Sequence, residues 1–141
     1  MVKKEILTIE NNGPVGYLIS NVLKKHYAVT RTFSCAEAMK ELQSNNETDL
    51  IILDIPNDKS DNYKLLQHIS TSSVLGTIRT VVISNSDDPS LKHKTAELGV
   101  SLFLTKPFDP VYLSDKVREL VNVYSNKGTR KRRIPFNLNI F

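Results

Sequence analysis

Short apolar runs alternate along the chain with longer segments whose hydrophobic positions recur at helical spacing, and that alternation frames the fold. Five runs carry the β-branched content and flanking turn residues of strands: EILTI (5–9), AVTRTF (28–33), DLIILD (49–54), RTVVIS (79–84) and SLFLT (101–105). At 6–9, 50–53 and 81–83 nearly every residue is apolar, which suits parallel strands covered on both faces. Between the runs, residues 14–25 open on Pro14 and place Leu18, Ile19, Val22 and Leu23 on one stripe. Ser34, with Glu37 three residues later, forms a capping box ahead of Ala38, Met39 and Leu42. Residues 61–72 and 89–98 are two further helices, the second headed by the acids Asp87 and Asp88 and closed by Gly99. Leu113, Val117, Leu120, Val121 and Tyr124 give the last helix one buried face. SNNETD (44–49) and TSSVLGT (71–77) read as loops.

The order is (βα)5, which predicts right-handed crossovers and an α/β fold built on a doubly wound, five-stranded parallel sheet. In such sheets ligands gather at the carboxyl ends of the strands. Those ends carry Glu10 and Asn11, Asp54, Ser84, and Thr105 with Lys106. Polar groups of a suitable kind therefore converge on one edge.

Length and composition narrow the picture. With 141 residues, 40% of them hydrophobic, the chain supports one domain with its own core. The net charge of +4 is unevenly spread: all 15 acids precede residue 126, and five of the 19 Lys and Arg follow it. That leaves 14 cations against 15 acids in residues 1–125, about −1, so the basicity belongs to an appended tail at 126–141. Its GTRKRR could meet phosphates of nucleic acid or lipid. Its IPFNLNIF alternates like a half-buried strand that could join a sheet edge or a second copy of the chain as a homodimer. Cys35 is the only cysteine and His26, His68 and His93 are scattered, which excludes an intrachain disulfide and gives no zinc-ligand spacing. There is no signal-peptide core and no apolar run near the roughly 18 residues of a membrane span, so a cytoplasmic location is expected. NNGPVG lacks the G-x-G-x-x-G spacing and there is no P-loop, which disfavours a nucleotide-binding enzyme. Cys35, Tyr112 and Tyr124 are expected to pack in the interior.

ILTIEN, LIILDI, VVIS and LTKPF, in that order on the strand ends, carry a resemblance. The chain resembles the receiver domains of two-component response regulators, the CheY-like, flavodoxin-like domains that accept a phosphoryl group on an aspartate. The 30 residues from Asp54 to Ser84 and the 22 from Ser84 to Lys106 fit the family pattern without gaps. The resemblance implies Asp54 as phosphoacceptor, assisted by Ser84 and Lys106, and a Mg2+ held by Glu10, Asn11, Asp54 and the carbonyl of Pro56. It further implies Ser84 and Phe103 as switch residues, and a cis bond before Pro107. Partners would be a sensor histidine kinase or phosphotransfer protein and a downstream protein. The role is signalling rather than enzymatic, and no dedicated DNA-binding domain is expected.

Three positions depart from the family. Asn11 stands where a second acid is usual, which lowers the charge of the metal site from about −3 to about −2. One charge at about 2–4 Å from a divalent ion is worth several kcal/mol before solvation, even at an effective dielectric near 20. Asp58 replaces a usual proline and adds an acid near the site. Asn62 replaces a usual glycine, a substitution that asparagine's tolerance of left-handed backbone would allow. These departures raise a rival reading, a pseudo-receiver that acts as a phosphorylation-independent interaction module. A nucleic-acid-associated protein working through the basic tail is a rival of another class.

Overall fold

The computed structural model describes residues 3–11, 13–45 and 47–123, the side chain of Val123 excepted. Strands β1 (Glu5–Ile9), β2 (Ala28–Thr32), β3 (Thr48–Asp54), β4 (Arg79–Ser84) and β5 (Leu102–Thr105) alternate with helices α1 (Pro14–Leu23), α2 (Cys35–Ser44), α3 (Asp61–Thr71), α4 (Pro89–Glu97) and α5 (Pro110–Val123). A short 3-10 turn at Leu75–Thr77 lies within the stretch read as a loop. The strands form one parallel sheet in the order β2-β1-β3-β4-β5. This is the flavodoxin-like doubly wound fold, and its switch point falls between β1 and β3.

Strand position explains strand composition. Central β3, TDLIILD, is buried from Thr48 to Leu53, whereas the edge strands β2 and β5 alternate buried or half-buried residues with more exposed ones. Because successive side chains point to opposite faces, β1, β3 and β4 each feed two cores. Leu7, Ile9, Ile51, Leu53 and Val82 pack with Ala38, Leu42, Leu66, Ile69 and Leu91 from α2, α3 and α4. Ile6, Leu50, Ile52, Val81 and Ile83 pack with Ile19, Leu23, Leu113, Val117 and Val121 from α1 and α5.

The helix ends follow local chemistry. Ser34 Oγ accepts from Glu37 N at 3.1 Å, and Glu37 Oε1 accepts from Phe33 N at 2.9 Å, one residue before the cap itself. Asp88 caps α4 by accepting from Ser90 N at 3.0 Å. Gly99 ends that helix region with φ of 85°, a backbone conformation that costs glycine nothing.

Several expectations shift. The buried stripe of α1 runs through Gly16, Ile19 and Leu23, and Leu18 is 42% exposed, one helical step off that line. Tyr112 is 45% exposed, because it lies one residue before the inward-facing Leu113. Cys35 is only half-buried, and its thiol donates to Asn62 Oδ1 at 3.3 Å. Tyr124 and the 126–141 tail lie outside the described residues. Among those that are described, no helix is long and apolar enough to cross a membrane.

Leu53 is fully buried in β3, one residue before the end of the strand. Leu53→Ala is expected to lower stability by about 2–5 kcal/mol through lost burial and a residual cavity. In urea unfolding the midpoint should fall with the slope unchanged; an unaltered midpoint would show that this strand is not the packed centre.

Candidate functional site

Backbone bonds just beyond the strands hold the carboxyl edge in register. Glu10 N donates to Thr32 O at 3.0 Å, Ile55 N to Ile83 O at 2.9 Å and Lys106 N to Ser84 O at 2.7 Å. They tie the end of β1 to that of β2 and the ends of β3, β4 and β5 to one another, and the peptide bond between Lys106 and Pro107 is cis. An open cleft of about 230 Å³ sits on this edge, lined by Glu10, Asn11, Asp54, Pro56 and Lys106 among others. Five of the residues singled out in the sequence are thus brought together.

At its centre Lys106 Nζ lies 2.5 Å from Asp54 Oδ2, and each side chain is only about one-sixth exposed, at 17% and 16%. The pair is sheltered but reachable. Ser84 is fully buried beside the cleft rather than in its wall, and its Oγ accepts from Ser86 N at 3.1 Å. The hydroxyl proton is left for another acceptor. Phe103 is half-buried and lies away from this cleft. It lines a second depression, of about 290 Å³, between α4, β5 and α5, with the Lys92 ammonium 5.8 Å from its ring centroid.

Glu10 is only 7% exposed, and its carboxylate is fully engaged. Arg31 Nε donates to Oε2 at 3.0 Å, Arg31 Nη2 to Oε1 at 2.6 Å, and Thr8 Oγ1 to Oε2 at 3.0 Å. This is a bidentate guanidinium–carboxylate pair, the geometry in which such pairs are strongest. The Glu10 hydrogen bond raises the Arg31 pKa above its ordinary value, fixing the positive charge. Arg31 was not singled out from sequence, because only the β1–β2 register, which sets Thr8 opposite Arg31, shows what it faces.

Two positions in the β3–α3 region behave differently from expectation. Asn62 is not left-handed: it is the second residue of α3, and its Nδ2 donates to the backbone carbonyl of Asp54 at 2.7 Å. The amide therefore ties the start of the helix to the end of the strand. Asp58 is paired with Lys94 on α4. That ammonium holds the Asp58 carboxyl below the usual carboxylate range, and the carboxylate in turn raises Lys94. Asp61, in the first turn of α3, and Asn85 also line the cleft.

A family model for the response regulator receiver domain matches residues 6–118. The chain belongs to that family. This receiver is 23% identical over 125 residues to hybrid signal transduction histidine kinase D of Dictyostelium discoideum, covering 89% of this chain and 8% of that protein. It thus spans less than a tenth of that curated relative. The signal receiver domain of a signal transduction histidine kinase from Syntrophus aciditrophicus is similar at 25% identity and a TM-score of 0.76, covering 89% of this chain and 96% of that one. The Mn2+-bound form of response regulator Rcp1 is similar at 26% identity and a TM-score of 0.65, with 86% and 92% covered. Receivers are signalling modules of two-component systems, and as a family they generally bind Mg2+.

The donors present fit such an ion in type. Glu10, Asn11, Asp54 and Pro56 all line the cleft and all offer oxygens. Charge is a different matter, since both Asp54 and Glu10 already face a cation. Among the described residues no group of three or more His, Cys, Asp or Glu is arranged to hold a metal.

Two outcomes test this geometry. A Cβ added at Gly16 would lie 1.6 Å from Glu10 Oε1. Gly16→Ala should therefore destabilise the receiver by about 1–3 kcal/mol through overpacking. In a Glu10→Ala background the same change should instead stabilise by up to about 1 kcal/mol, because alanine favours the helix. Equal effects in both backgrounds, by urea unfolding, would reject the contact. Second, an NMR titration should find the Asp58 midpoint below the usual carboxylate range, and Lys94→Ala should restore it. The stability linked to Asp58 is then complete above its unfolded-state pKa and is lost as pH falls through the lowered folded-state value.

Proposed function

We propose that this receiver accepts a phosphoryl group on Asp54 from the phosphohistidine of a sensor histidine kinase or a phosphotransfer protein, and that a downstream protein reads the modified state. The 2.5 Å contact between Asp54 Oδ2 and Lys106 Nζ, inside an open cleft on the carboxyl edge, supports this most directly. A carboxylate oxygen of Asp54 attacks phosphorus as the P–N bond to the donor imidazole breaks, and the electron pair of that bond returns to the ring. Two negative groups approach each other in this step, so a fixed cation is essential. Lys106 supplies it, passing from the carboxylate to a phosphoryl oxygen as the charge moves.

A Mg2+ held by Asp54, the Pro56 carbonyl and the Asn11 amide, with Glu10 once freed, would neutralise further phosphoryl charge. Ser84, whose Oγ accepts from Ser86 N in the resting structure, turns toward the new phosphate and shifts the β4–α4 connection. Phe103 and the depression between α4, β5 and α5, with Lys92, Tyr112 and Lys116 on its walls, form the surface a partner would read. A cytoplasmic location and a separate role for the 126–141 tail, self-association included, belong to the same reading.

One observation favours a second reading. The Glu10 carboxylate already has a resident cation in Arg31, so the folded site offers a divalent ion less free charge. A phosphorylation-independent interaction module would have such a site.

Incubation with Mg2+ and a small phosphodonor, followed by intact mass measurement, decides between them. The expected outcome is a gain of one phosphoryl group in wild type, none in Asp54→Asn, and a rate reduced by about tenfold or more in Lys106→Ala. No gain in wild type, or the same gain in Asp54→Asn, would favour the interaction module.

A further inference from the structure

Arg31 is held from several sides. Its fork meets both oxygens of Glu10. Its guanidinium carbon lies 5.1 Å from the Phe33 ring centroid and 6.0 Å from that of Tyr17. The strand register sets it opposite Thr8, whose hydroxyl donates to the same carboxylate. Glu10 is held from the far side too, since it occupies the space that a Cβ on Gly16 would need. A lysine could not make the planar two-point contact.

From this we infer that Arg31 is a built-in competitor for the divalent ion: it holds Glu10 out of the metal's coordination, and an ion reaches the Glu10 carboxylate only by displacing the guanidinium. The inference rests on reading the cleft as a metal-assisted phosphoryl site. With Arg31 engaged, the oxygens of the cleft left to an ion include those of Asp54, itself shared with Lys106, of Asp61 on the wall, of the Asn11 amide and of the Pro56 carbonyl. Glu10, Asp54, Arg31 and Lys106 sum to zero formal charge, and Asp61 on the wall contributes the remaining −1. Arg31 thus adds to the weakening that Asn11 in place of an acid already brings.

Calorimetric titration of the full chain with Mn2+ tests the competition without relying on phosphorylation. Arg31→Gln is expected to bind Mn2+ at least about tenfold more tightly than wild type. The gain should vanish in Arg31→Gln/Glu10→Gln. Equal or weaker binding by folded Arg31→Gln, or a gain that survives loss of the Glu10 charge, overturns the inference. Should Arg31→Gln fail to fold, the Arg31 Nε–H resonance of the wild-type chain reads the same event during the titration with diamagnetic Mg2+. It is expected to shift along the binding isotherm, and an unchanged resonance at saturation overturns the inference. Failure of Asp54 to accept phosphate would leave these binding outcomes intact, so the two readings fail separately.

Discussion

The ion pair between Asp54 and Lys106 joins residues 52 positions apart in the chain, and the chemistry of the site follows from it. The two do not sit on neighbouring strands, since β4 lies between β3 and β5. Their meeting depends on the parallel register, carried one residue past the strands by the bonds from Ile55 N to Ile83 O and from Lys106 N to Ser84 O. An alternative strand order would separate the pair. The buried β3 and the two cores it feeds are what keep that register.

Two such charge pairs involve carboxylates of the cleft, in different settings. Asp54 and Lys106 are partly open, so their contact can be exchanged for one with an incoming group. Glu10 is buried, and Arg31 meets it with two hydrogen bonds while lying close to two aromatic rings. Removing one partner of such a sheltered pair is costly, because the other is left uncompensated. The first pair therefore suits reaction and the second suits restraint. The Asp58–Lys94 contact links the loop after β3 to α4.

Much of this was readable from the sequence because it depends on local signals. All five strands fell within a residue or so of their predicted bounds, since continuous apolar runs at β1, β3 and β4 report burial on both faces. Ser34, Asp88 and Gly99 marked helix ends through chemistry that acts over three or four residues. The misses were questions of facing. Leu18 and Tyr112 lie one step off their buried stripes, and apolar character alone did not reveal it. Asn62 was read through the glycine it replaces, whereas a side-chain amide in the first turn of a helix can reach a strand-end carbonyl. Arg31 carried no motif, because its partner is chosen by strand pairing. The cation that pairs with Glu10 stayed hidden for the same reason, since it lies 21 residues away in the chain.

The account stands on Asp54 and Lys106 being the reacting centre. A crystal structure of the chain with beryllofluoride, a mimic of a carboxylate-bound phosphoryl group, tests this most directly. The account predicts beryllium bonded to a carboxylate oxygen of Asp54, with Lys106 Nζ and Ser84 Oγ within hydrogen-bond distance of its fluorines. Beryllofluoride bound to another carboxylate, or Lys106 directed away from an occupied Asp54, would contradict it.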